Sequence, residues 1–141
     1  MSLHSKNLQI AIFNTLSNDS TLDTLIGNNK IYDEVPQGTG YPYVHIGEET
    51  TIDGGVKDKD AQEFTQTIHI WSRYRGSKET KEIAERIYTL LHNVDISVSN
   101  ASFINSRNEF FTILLDDDGL TRHGIMRFRM AVSYTHLRAH E

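Results

Sequence analysis

Leu3, Leu8, Ala11, Ile12, Thr15 and Leu16 recur at the i, i+3, i+4 spacing of a helix with one buried stripe, which predicts a helix over residues 3–17. Ile10 and Phe13 widen the stripe, so this helix is expected to touch more than one neighbour. Asn18, Asp19 or Ser20 can cap a short second helix carrying Leu22, Leu25 and Ile26, which Gly27 ends. A brief strand is predicted at 30–32, and a longer one begins near Tyr43 and runs to Ile46. Between them, Pro36, Gly38, Gly40 and Pro42 make a rigid, extended connector, because proline fixes φ and straightens its predecessor.

Residues 63–72 alternate, with Phe64, Ile68 and Ile70 on one face and Thr65, Thr67, His69 and Trp71 on the other. The stretch 47–62, with Asp53-Gly54-Gly55 and the mixed charges Lys57, Asp58, Lys59 and Asp60, reads either as a mobile loop or as the tip of a long hairpin. A third helix is predicted over 77–93, capped by Ser77, with Ile83, Ile87, Leu90, Leu91 and Val94 facing inward. Residues 102–115 and 121–132 form a closing hairpin around Asp116-Asp117-Asp118-Gly119. In its second strand Met126, Phe128, Met130 and Val132 point one way, Arg127 and Arg129 the other. The order predicts an α+β fold, an antiparallel β-sheet with helices packed on one face.

A chain of 141 residues fits one domain. The last ten residues, 132–141, resemble the translation of a transposon-type sequencing adapter. They are set apart as a non-native extension of a 1–131 domain, and His136, Arg138 and His140 enter no functional argument. No apolar run reaches the roughly 20 residues that span a bilayer, and the first residues lack the layout of a secretion signal. Zero cysteines exclude disulfides, thiolate metal sites and cysteine nucleophiles. A net charge of −5 argues against a binder driven onto nucleic acid by a basic face.

Candidate chemistry is sparse. His4, His45, His69, His92 and His123 form no H-x-H or H-E-x-x-H pair within one element, and His45 and His69 fall on different predicted strands. They read as sheet-face or surface histidines. Asp116–Asp118 lack the alternation of a calcium loop and read as a solvated turn. No nucleophile elbow or phosphate-binding glycine motif occurs. Arg73, Arg75, Arg127 and Arg129 with Trp71 and Tyr74 can make a basic-aromatic patch, read here as a subunit contact in preference to a single-strand nucleic-acid platform. Nothing points to an enzyme, a cofactor or a metal.

Leu22-x-x-Leu25-Ile26-Gly27 with Lys30-Ile31-Tyr32, then Val35-Pro36-Gln37-Gly38 with Tyr41-Pro42-Tyr43-Val44, then Ile68-His69-Ile70-Trp71-Ser72 before a helix containing Ala84-Glu85-Arg86-Ile87, form an ordered set. With the closing Arg127-Phe128-Arg129-Met130 strand, the set resembles the tail-completion family of long-tailed bacteriophages and prophages over residues 3–131. The resemblance implies a structural virion protein at the head–tail junction, made in the host cytoplasm, that caps the tail tube and helps join tail to head. Its partners would be itself (as a hexameric ring), the tail tube protein and head–tail connector proteins, with DNA passing through the lumen unbound and no membrane. An acidic lumen suits that passage. Pro36, Gly38, Tyr41, Pro42, Tyr43 and Trp71 carry the motif. Candidate contact residues are Thr51, Asp53, Gly54, Gly55, Lys57 and Asp58 in a loop from 51 to 60, with Arg73 and Arg129 on the exposed sheet face. A loop that orders only on assembly would keep free subunits apart. A neck or minor tail protein of the same assembly and a small non-enzymatic binding module are the alternatives.

Overall fold

The computed structural model describes residues 3–53 and 61–133. Along the chain lie α1 (Ser5–Ser17), α2 (Ser20–Ile26), β1 (Ile31–Tyr32), β2 (Tyr43–Asp53), β3 (Ala61–Ser72), α3 (Lys78–Leu91), β4 (Ser102–Leu115) and β5 (Arg122–Ser133). The strands form one sheet in the order β1-β2-β3-β5-β4, antiparallel except for the short parallel β1–β2 pair. The fold is α+β, as the pattern predicted.

Local chemistry sets the helix ends. Of the three candidate caps, Asp19 is the one used: its carboxylate accepts from Leu22 N at 2.8 Å. Gly27 closes α2 with φ +83°, a left-handed conformation that costs glycine nothing. Ser77 occupies the N-cap position of α3, as predicted, but its side chain makes no capping hydrogen bond. Favourable dipole contact comes instead from Glu79 in the first turn.

Leu8, Ile12 and Leu16 of α1, Leu22 and Ile26 of α2, and Ile83, Ile87 and Leu91 of α3 pack with Phe64, Ile68, Ile70, Met126, Phe128 and Met130 of the sheet in a single cluster. Contacts with the sheet are divided. α1 touches β1, whereas α3 touches β3, β5 and β4. Val132, the first residue of the segment set apart above, is fully buried in this core.

The stretch 47–62 is strand up to Asp53 and strand again from Ala61, so it belongs to a long β2–β3 hairpin; Gly54, Gly55, Lys57 and Asp58 lie outside the described residues. The pairing slips between Ile46 and Glu49, where β2 carries a bulge. Gln66, which the alternation pattern left out, turns into the core and donates its amide to the carbonyls of Gly47 (3.1 Å) and Thr67 (2.9 Å). A buried glutamine thus satisfies backbone groups that the bulge removes from the ladder.

Candidate assembly surface

The sheet face opposite the core splits into two ends. At the first, the connector ends in a cis Tyr41–Pro42 bond and delivers Tyr41 and Tyr43 beside Trp71. Ring centroids follow one another from Tyr41 to Tyr43 (5.4 Å), Tyr43 to Trp71 (6.4 Å), Trp71 to His123 (3.8 Å), His123 to His69 (4.9 Å) and His69 to His45 (5.5 Å). The strand register explains the row: Tyr43 pairs with Trp71 and Trp71 with His123, while His45 pairs with His69. Sequence spacing gave no sign of this, because each histidine comes from a different strand. Pro36 and Gly38 shape the turn that precedes the row, with Gly38 at φ +79° and Thr39 Oγ1 donating to Pro36 O at 2.5 Å.

The row carries a fixed set of hydrogen bonds. His69 Nε2 lies 2.8 Å from Glu48 Oε1, and His69 Nδ1 lies 2.7 Å from His123 Nε2. Since a carboxylate only accepts, His69 carries its proton on Nε2, and its bare Nδ1 then accepts from the Nε2–H of His123. The bond to His69 holds the Glu48 carboxyl below its ordinary range. Burial, then the neighbouring His69, push the His123 imidazole down. His45 Nε2 sits 2.9 Å from the Asp33 carbonyl and donates to it. Among the described residues no group of three or more His, Asp or Glu is arranged to hold a metal.

Arg73 closes this end, with its guanidinium 4.4 Å over the Tyr41 ring, its Nε donating to Thr121 Oγ1 at 3.0 Å, and Asp118 3.6 Å away. Asp118 is occupied by the turn itself, accepting from Leu120 N, Thr121 N and Thr121 Oγ1, which pull its carboxyl down to about 2. Hence the triple aspartate is a structured turn, with Gly119 at φ +70°.

Arg129 belongs to the other end. It pairs with Thr65, seven residues along β3 from the Ser72–Arg122 pair, about 23 Å away at strand rise. Glu63 (3.4 Å) and Glu109 (3.2 Å) flank it, and Glu109 also takes Arg107. Thr51 and Asp53 lie near this end but on the core side, where Thr51 donates to Glu49 and Asp53 accepts from Gln62. The structure therefore does not bring Arg73 and Arg129 together, and Arg127 stacks over Phe110 at 4.5 Å. Arg73, Arg127 and Arg129 thus each have a local partner.

Large apolar side chains left in solvent form a different set. Ile10 and Phe13 project from α1, Tyr88 from α3, and Phe110, Phe111, Leu114, Leu115 and Leu120 from the β4–β5 hairpin. α1 touches α2, α3 and β1, so it has more than one neighbour as expected, yet Ile10 and Phe13 stay outside those contacts. A groove of about 770 Å³ runs between α3 and β4, walled by Tyr88 and Phe111 with Met126 beneath. Concentrations of exposed apolar surface on this scale mark contact sites.

The chain is 24% identical over 131 residues to the tail completion protein gp17 of Bacillus phage SPP1, covering 93% of this chain and 96% of that protein. The solved structure of SPP1 gp17 superposes with a TM-score of 0.60 at 22% identity, over 92% of this chain and 95% of that one. A chain in the virion of a native gene transfer agent particle superposes with a TM-score of 0.85 at 22% identity, over 94% and 99%. The family model described as tail completion protein gp17 matches residues 10–133, from inside α1 to the end of β5. The chain belongs to the gp17 tail-completion family of bacteriophage proteins.

Proposed function

We propose that this protein closes the finished tail tube of a long-tailed phage or related particle by assembling into a ring, and that the ring supplies the surface that docks on the head connector. The family match over residues 10–133 supports a structural protein of the tail. The observation that carries the ring is the exposed apolar surface, split between α1 on the β1 side of the fold and the α3–β4 groove on the far side. Two different patches on one subunit make head-to-tail contacts, and closure of such contacts sets the number of subunits, six by resemblance to the family. The tail tube protein and the connector would meet the two faces of the ring. The net charge of −5 suits a lumen through which DNA slides without adhering.

Within this reading the row Tyr41–Tyr43–Trp71–His123 and the Arg129 end of the sheet are separate contact regions, as is the β2–β3 hairpin near Thr51 and Asp53. Electron microscopy of particles made without the gene tests the proposal. Overlong tails, or tails without heads, are expected. Virions of normal length joined to heads would overturn it, and normal-length tails left unjoined would move the protein to another level of the neck.

A further inference from the structure

We propose that the solvent-facing stripe of α1 seats in the α3–β4 groove of a second copy of this chain, and that this is the repeating contact of the ring. The inference rests on the ring reading above and names the surfaces that make it.

The stripe lies opposite the core. At 100° per residue, Lys6, Ile10 and Phe13 fall on one side of α1, while Leu8, Ala11, Ile12 and Leu16 fall on the other and are buried. Ile10 is 47% and Phe13 40% exposed, and Leu3, just ahead of the helix, is 66% exposed. α2, α3 and β1 pack on α1, and among the described residues its Ile10 and Phe13 side is left in solvent.

The groove offers the matching concavity. Its walls are the half-exposed rings of Tyr88 on α3 and Phe111 on β4, two elements that are in contact. Its volume of about 770 Å³ leaves room for several side chains. Strand order places α1 over the β1 end of the sheet and the groove at the β4 end. Knob and hole sit on opposite flanks, as a head-to-tail contact requires and as an isologous dimer does not.

Charge selects the occupant and its direction. Lys6 is the sole charged residue of α1, and it lies within the stripe. Glu82 and Glu85 stand on the α3 rim of the groove, with Lys78 and Lys81 toward the start of that helix. An α1 laid antiparallel to α3 puts Lys6 toward the glutamates and its own C-terminal carbonyls, the negative end of its dipole, toward Lys78 and Lys81.

The chain has no cysteine, so introduced pairs report contacts without background. In the double variant Phe13→Cys, Tyr88→Cys, oxidation under conditions where the protein self-associates by sedimentation is expected to give a ladder of linked subunits. Each single variant alone is expected to stay unlinked, and a mixture of the two singles to stop at the dimer. Self-association of the double variant without any disulfide between F13C of one copy and Y88C of another would overturn this contact and leave the ring standing. Efficient linking of F13C to itself, or to a different tail protein when tails are added, would overturn it too. A protein that remains monomeric at every concentration and on added tails would bring down the ring reading, and this contact with it.

Discussion

His69 and His123 share a hydrogen bond of 2.7 Å across β3 and β5, and the second nitrogen of His69 is held by Glu48. Two charged imidazoles at this distance would repel one another and leave the bond between them without an acceptor. Burial lowers the imidazoles of His123 and His4 below their ordinary 6.5 in the folded protein. The unfolded chain therefore binds more protons below that value, and stability falls as the pH drops through 6.5 toward the folded values. Below about 4.5, Glu48, whose folded value is depressed, adds a second loss of stability. Urea unfolding followed from about pH 8 to about pH 3 should show both steps, and His123→Gln should flatten the first.

Gly47 makes room for that histidine. A Cβ at this position would stand 2.5 Å from His69 Cδ2 and 3.3 Å from the Thr67 carbonyl. Gly47→Ala should force the ring out of line and cost about 1–3 kcal/mol, the usual range for overpacking. The loss should be smaller in a His69→Ala background, where a double-mutant cycle would read the coupling directly. Equal losses in both backgrounds would show that the backbone, not the ring, sets the requirement.

Asp19 joins two elements. It caps α2 and also takes a bidentate grip from Arg86 of α3, at 2.8 and 2.6 Å, which holds its carboxyl below the usual value. Asp19→Ala should cost about 1–2 kcal/mol through the lost cap. Arg86→Gln should cost less, since the cap survives it. Thermal melts of the two variants order these effects.

Phe128 of β5 is fully buried in the core between sheet and helices. Phe128→Ala should lose about 3–5 kcal/mol, leaving little folded protein at physiological temperature by circular dichroism.

Arg129 is half-exposed between two glutamates. Its replacement by Ala should change stability by less than about 1 kcal/mol. If its end of the sheet is a contact in the ring, the same variant should reduce joining of heads to tails in a particle assembly assay. Wild-type joining would remove this residue from the assembly surface.

The hydrophobic period gave the helices and most strands to within a few residues, because amphipathic burial and turn chemistry act over short distances; β2, read as ending at Ile46, runs on to Asp53. The stripe of α1, the alternation of β5 and the Asp-Gly turn are properties of neighbours in sequence. Even the unexplained width of the α1 stripe was legible, through Ile10 and Phe13, although not what covers it. Tertiary structure alone decided which strands adjoin. Pairing β3 with both β2 and β5 aligned His45, His69 and His123, which sequence spacing kept apart, and separated Arg73 from Arg129, which composition had grouped. It also turned Gln66 inward to serve a bulge and left a groove between α3 and β4. Register and layer coverage depend on contacts between residues distant in the chain, and no local pattern encodes those distances.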